Sequence, residues 1–136
     1  MADYKIEELE GIGPKLGEKL RNVGITTVND FLSAAIKKAQ RKELAAKSGI
    51  AEKELLQFAN MADLMRINGV AGEYAELLEA AGVDTVKELA TRKPENLTAK
   101  MEEVNAAKKL VRRVPTLTMV TKWVAQAKEL PGLLEY

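Results

Sequence analysis

The chain repeats itself. When it is laid over its own sequence with a shift of about 58 residues, Glu10 to Val28 falls on Asn68 to Val86. Gly11 meets Gly69, Ile12 meets Val70, Gly17 meets Ala75, Leu20 meets Leu78, Gly24 meets Gly82, and Thr27-Val28 meets Thr85-Val86. A bias in composition does not keep two turn glycines, the apolar positions between them and the following threonine in register. The duplication is therefore taken as real, and it predicts two like units related by an approximate rotation.

Apolar residues recur at helical spacing, and no β-branched run is long enough for a strand, so the whole chain reads as short helices. Leu16, Leu20 and Val23 form one stripe that ends at Gly24, and Thr27 with Asp30 forms a cap ahead of Phe31, Leu32 and Ile36. Leu44 to Gly49 and Leu55 to Phe58 give two more helices. Pro94 opens another that runs through Leu97, Met101, Val104, Leu110 and Val111 to Pro115. The last places Leu117, Val120, Val124 and Ala127 on one face, with Trp123 beside them, and stops before Pro131-Gly132. The expected fold is all-α, with two repeats and additional short helices packed into one compact domain. The first repeat and its following helices occupy 1–60, the second occupies 61–130, and 131–136 form a loose tail.

The composition excludes much chemistry. Cysteine and histidine are both absent, which removes disulfides, thiolate nucleophiles, the usual zinc and iron–sulfur ligands and the common proton shuttle. Glu7-Glu8 and Glu102-Glu103 are adjacent carboxylates, which diverge on a helix and make poor acid–base or metal pairs. No catalytic residue, cofactor, metal or small-molecule substrate is expected, and the chain reads as non-enzymatic. Met1 to Lys5 lacks the pattern of a signal peptide and no apolar run approaches a membrane span, so the expectation is a cytoplasmic protein without membrane contact. With Lys plus Arg at 21 and Asp plus Glu at 20, the net charge of +1 gives no global attraction to an anion. Any such affinity must be local.

Each copy has a Gly-apolar-Gly or Gly-apolar-Ala turn followed by a helix with a small residue, Gly17 or Ala75, on its inner face. Over roughly 6–35 and 64–91 this resembles the helix-hairpin-helix motif, in which Ile12 or Val70 would plug the gap between two short helices. Segments such as Asn60 to Leu64 and Ala80 to Leu89 also resemble the bacterial family of tandem helix-hairpin-helix proteins catalogued as domain of unknown function 4332, a name that supplies no activity. The motif implies contact with the backbone of double-stranded DNA without sequence reading. Turn glycines admit a phosphate, and the unpaired N–H groups of the next helix face it with the positive end of the dipole. Copy one holds the pieces for DNA binding: Gly11, Ile12 and Gly13 in the turn, Pro14 at the first helical position, and Lys15 and Lys19 one turn apart. Copy two departs, with Ala71 in place of Gly13 and with Glu73, Glu76 and Glu79 on the helix, so it reads as a packing element. The glycines by themselves require only a tight interhelical turn. The other reading is therefore a protein–protein adaptor in which both hairpins are scaffold.

Two basic stripes, Lys37, Lys38, Arg41, Lys42 and Lys47 and then Lys108, Lys109, Arg112 and Arg113, read first as solvated helix faces. Trp123, amid Leu117, Val120 and Val124, reads as core and not as a base-stacking platform.

Overall fold

The computed structural model describes residues 3–136. It consists of a 3-10 turn (Ile6–Glu8) and then α1 (Pro14–Asn22), α2 (Val28–Ala34), α3 (Lys38–Ser48), α4 (Glu52–Leu64), α5 (Gly72–Ala80), α6 (Val86–Leu89), α7 (Pro94–Lys108) and α8 (Leu117–Glu129). Among the described residues the extended pairing is confined to one isolated antiparallel bridge, Lys5 to Thr27. No helix there is long and apolar enough to cross a membrane. The chain is all-α, in two compact units: Met1–Asp63 with Leu133–Tyr136, and Leu64–Gly132.

In the first unit α1 and α2 both pack on α3, and the 3-10 turn packs on α1 and α2. Ile6, Leu9, Leu20, Phe31 and Leu55 are fully buried. The entry segment is pinned by Ile6 N–H donating to Thr26 O at 3.1 Å and Val28 N–H donating to Tyr4 O at 2.8 Å. In the second unit α5 packs on α7, and α6 and α7 both pack on α8. Its core includes Val70, Leu77, Leu78, Leu89, Met101 and Val120.

Local geometry at the two aligned segments agrees position by position. Gly11 and Gly69 have φ of 90° and 87°, and Gly24 and Gly82 have 89° and 94°. The residues that begin α1 and α5, Gly13 and Ala71, share a ψ of −174°. Ile12 N–H donates to Leu9 O at 3.2 Å, and Val70 N–H to Ile67 O at 3.1 Å; Ile25 N–H donates to Leu20 O at 3.0 Å, and Val83 N–H to Leu78 O at 2.9 Å. The hydroxyls of Thr27 and Thr85 accept from Asp30 N–H at 3.0 Å and Glu88 N–H at 3.2 Å, capping α2 and α6. Such a cap stabilises a helix by about 1 kcal/mol, a large share for elements this short.

The correspondence runs beyond the segments visible in the sequence. Each unit ends in a long helix that carries an aromatic ring to its own turn glycine. A Cβ built at Gly11 would lie 3.2 Å from Phe58 Cε1 on α4, and one at Gly69 would lie 3.4 Å from Trp123 Nε1 on α8.

Four sequence expectations need correction. The helix from Pro94 stops at Lys108, well short of Pro115, because Lys109 takes a left-handed φ of 52°. The Asn105 side chain then holds the exit, accepting from Val111 N–H at 2.9 Å and donating to Val111 O at 3.1 Å. Leu117 is 45% exposed instead of lying on the buried face of α8. Arg41 is 4% exposed and so leaves the basic stripe: its guanidinium donates to Ala35 O at 2.8 Å, Ile36 O at 2.9 Å and Glu135 O. Finally, Leu133 to Tyr136 are not loose, since Glu135 N–H donates to Ile36 O at 2.9 Å and the Tyr136 hydroxyl bonds Asn60 Oδ1 at 3.0 Å.

Ile12 and Val70 are 5% and 0% exposed. A carboxylate forced into either place would have no partner, so Ile12→Asp and Val70→Asp are each expected to destabilise the fold by at least about 3 kcal/mol. Thermal melts check this, and an unchanged melt for either variant would contradict the buried placement.

Candidate functional site

The turn Gly11-Ile12-Gly13 is built from the inside out. Ile12 enters the core beneath Gly11 and Gly13, which are both exposed. Gly11 reverses the chain at φ 90°, a conformation that L side chains rarely adopt. Gly13 caps α1 without a side-chain bond, and nothing among the described residues lies within 4 Å of a Cβ built there. Pro14 follows at the first helical position, where its missing N–H costs nothing. The first turn of α1 holds no carboxylate, so the partial positive charge at that end is not neutralised by its own helix. Lys15 and Lys19 are exposed and lie one turn apart on the same helical face. Gly11, Ile12, Gly13, Lys15 and Lys19 are thus close along one turn and the helix that leaves it, with the plug inside and the glycines and lysines at the surface.

The inner face of α1 explains Gly17. A Cβ there would come within 3.2 Å of Glu7 Cγ and Oε2 and 3.3 Å of Arg21 Nη1, the partners of an exposed ion pair that joins the 3-10 turn to α1. Glu7 is therefore more than a solvated charge. Its neighbour Glu8 also has a task, accepting from Lys5 N–H at 2.8 Å to cap the 3-10 turn.

The second turn has the same backbone and different surroundings. Asn68 N–H donates to Gln126 Oε1 at 2.9 Å, and the Trp123 indole lies against Gly69. Trp123 is buried and packs on Tyr74 with ring centroids 5.3 Å apart, while the Tyr74 hydroxyl donates to Arg113 O at 3.0 Å. The α5 first turn carries the exposed Glu73. Sequence reading found that carboxylate and placed Trp123 in the core. It missed Gln126, whose side chain reaches the turn from α8 and gives no signal in local spacing.

The ion pair under α1 has no counterpart under α5. Met65 and Glu79 occupy the positions that match Glu7 and Arg21, and Glu79 Oε2 is buried without a hydrogen-bond partner among the described residues. Desolvation, followed by the charges of Asp84 and Glu76, holds the Glu79 carboxyl above the usual carboxylate range. A raised folded value means that the protonated form fits the fold and the ionised form costs. The contribution to stability is full below the ordinary value of 4.5 and lost as pH rises through the folded value. Glu79→Gln is therefore expected to stabilise the protein at pH 7 by about 1 kcal/mol, a figure kept low because the residue is partly exposed. Melts should show a gain of about 4 °C at pH 7 that disappears near pH 4; an equal gain at both would mean that ionisation is not the cause.

Among the described residues no group of three acidic side chains is placed to hold a metal ion. No curated protein and no solved structure matches the chain. The family described as Domain of unknown function (DUF4332) matches residues 10–130, a span that holds both glycine turns, both threonine caps and α1 to α8. With most of the chain inside the match, the chain belongs to that family.

Proposed function

We propose that the chain is a non-catalytic tandem helix-hairpin-helix module that binds the backbone of double-stranded DNA weakly and without sequence preference through its first hairpin. One observation carries this reading: Gly11 and Gly13 of the turn are exposed and lead into an α1 whose first turn holds no carboxylate, with Lys15 and Lys19 exposed along it. A phosphate that approaches such a turn meets backbone N–H groups, the helix dipole and two cations without displacing a side chain. The second hairpin supports the asymmetry of the reading, because Gln126 takes a turn N–H and Glu73 stands where Lys15 stands in the first. Its role is then structural.

A site of this size engages few phosphates. Neutralising about three gives a log–log salt slope near −2.7, shallow beside proteins that make many contacts. A mobility-shift titration of duplex DNA at two salt concentrations checks this, and Lys15→Glu with Lys19→Glu should abolish binding while the melt stays unchanged. Absence of binding at low salt, or binding indifferent to the two lysines, would overturn the DNA reading and favour a protein–protein adaptor.

A further inference from the structure

Each unit has a crevice beside the C-terminal end of its first helix, and the two crevices occupy matching places. In the first unit the lining includes Val23 from the end of α1, with Gln40 and Leu44 at the third and seventh positions of α3. In the second, Ala81 stands at the place of Val23, with Asn96 and Lys100 at the third and seventh positions of α7. The chemistry differs. In the first crevice the Gln40 amide is used internally, accepting from Lys37 N–H at 2.9 Å and donating to Ser33 O at 3.1 Å. The charges there, Glu43 and Lys47, neutralise one another at 2.8 Å. The second crevice, with a volume of about 340 Å³, is lined by Arg92, Lys93 and Lys100 and by no carboxylate.

Like charges gathered around one concave space repel, and a folded chain places them together at a cost unless an anion is there to share. Two of the three cations have loose ion-pair partners from outside the lining, Arg92 Nη2 with Glu88 Oε2 at 3.9 Å and Lys100 Nζ with Glu103 Oε2 at 3.9 Å, both beyond hydrogen-bond reach. Arg92 Nη2 instead donates to Gly82 O at 2.8 Å, which fixes the guanidinium at the rim. Leu97 supplies an apolar floor. The geometry points to this crevice as a binding site for a phosphoryl group, carried either by a nucleic-acid backbone or by a small phosphorylated molecule. A forked guanidinium, two ammonium groups and the Asn96 amide suit an anion with several oxygens and more than one charge. The site lies in the other unit from the first turn and does not depend on the DNA reading of that turn.

Inorganic pyrophosphate is the direct probe. Titrated into isotope-labelled full-length protein, it should shift the amide resonances of Lys93, Glu95, Asn96, Leu97 and Lys100 saturably. Lys93→Glu with Lys100→Glu should weaken that binding by at least about tenfold. Both side chains are exposed, so the melt of this variant should not change. Lys47→Glu, in the matching crevice of the first unit, should bind pyrophosphate as the unaltered protein does. Duplex DNA added in place of pyrophosphate distinguishes the sources: shifts at the same residues assign the site to a nucleic-acid backbone, and shifts with pyrophosphate alone assign it to a small phosphorylated molecule. No saturable shift with either probe, or equal loss in the Lys47→Glu variant, would overturn the site. Loss of DNA binding in Lys15→Glu, Lys19→Glu with pyrophosphate binding retained would separate the two readings.

Discussion

The fold depends on one backbone device, a glycine at strongly positive φ placed immediately before a buried aliphatic residue, which recurs at Gly11, Gly24, Gly49, Gly69 and Gly82. At Gly11 and Gly69 the chain reverses at φ 90° and 87°, so that Ile12 and Val70 turn inward while the following helix starts at the surface. An L residue would be strained at either place, and a Cβ at Gly11 would also press on Phe58, whereas one at Gly69 would only touch Trp123. The lack of a side chain therefore serves two purposes: it permits the reversal and it admits an aromatic ring. Because that ring comes from the last helix of the same unit, the turn ties the beginning of each unit to its end.

Such constraints give the two aligned segments matching backbones and leave their charges free to differ. Under α1 the acid and base Glu7 and Arg21 neutralise one another across Gly17, whereas the matching positions under α5 are Met65 and Glu79, and a carboxylate oxygen is left without a partner. The two turns diverge in the same sense. The first is open and has no acid in the first turn of its helix, while the second donates to Gln126 and precedes Glu73. Beside α7 the direction is reversed, with Arg92, Lys93 and Lys100 around a crevice whose counterpart in the first unit is neutral.

Much of the frame was legible from residues close together in sequence. The turn glycines, the plugs, the caps Thr27 and Thr85 and the helix start at Pro94 are local signals, each set by one residue's conformational preference or by a bond spanning three or four positions. The candidate residues of the first turn were legible for the same reason, since the turn and the lysines lie within a single stretch. Where periodicity alone guided the reading, it ran past the true end: the helix from Pro94 was extended through Val111, but the left-handed Lys109 and the Asn105 side chain stop it at Lys108. Leu117 satisfied the apolar spacing of α8 and still lies in solvent.

What the sequence by itself determined is the all-helical class, the duplication and the geometry of its two turns, because a glycine's φ and a threonine's cap are decided within a few residues. Only the tertiary structure decided that Arg41 is an internal clamp for Glu135, that Gln126 reaches the second turn, that Phe58 and Trp123 lie against the two glycines, and that three cations share one crevice. These depend on groups brought together from distant parts of the chain. Burial and hydrogen bonding then set what a charge or an aromatic ring does, and its place in the sequence carries no trace of that partner.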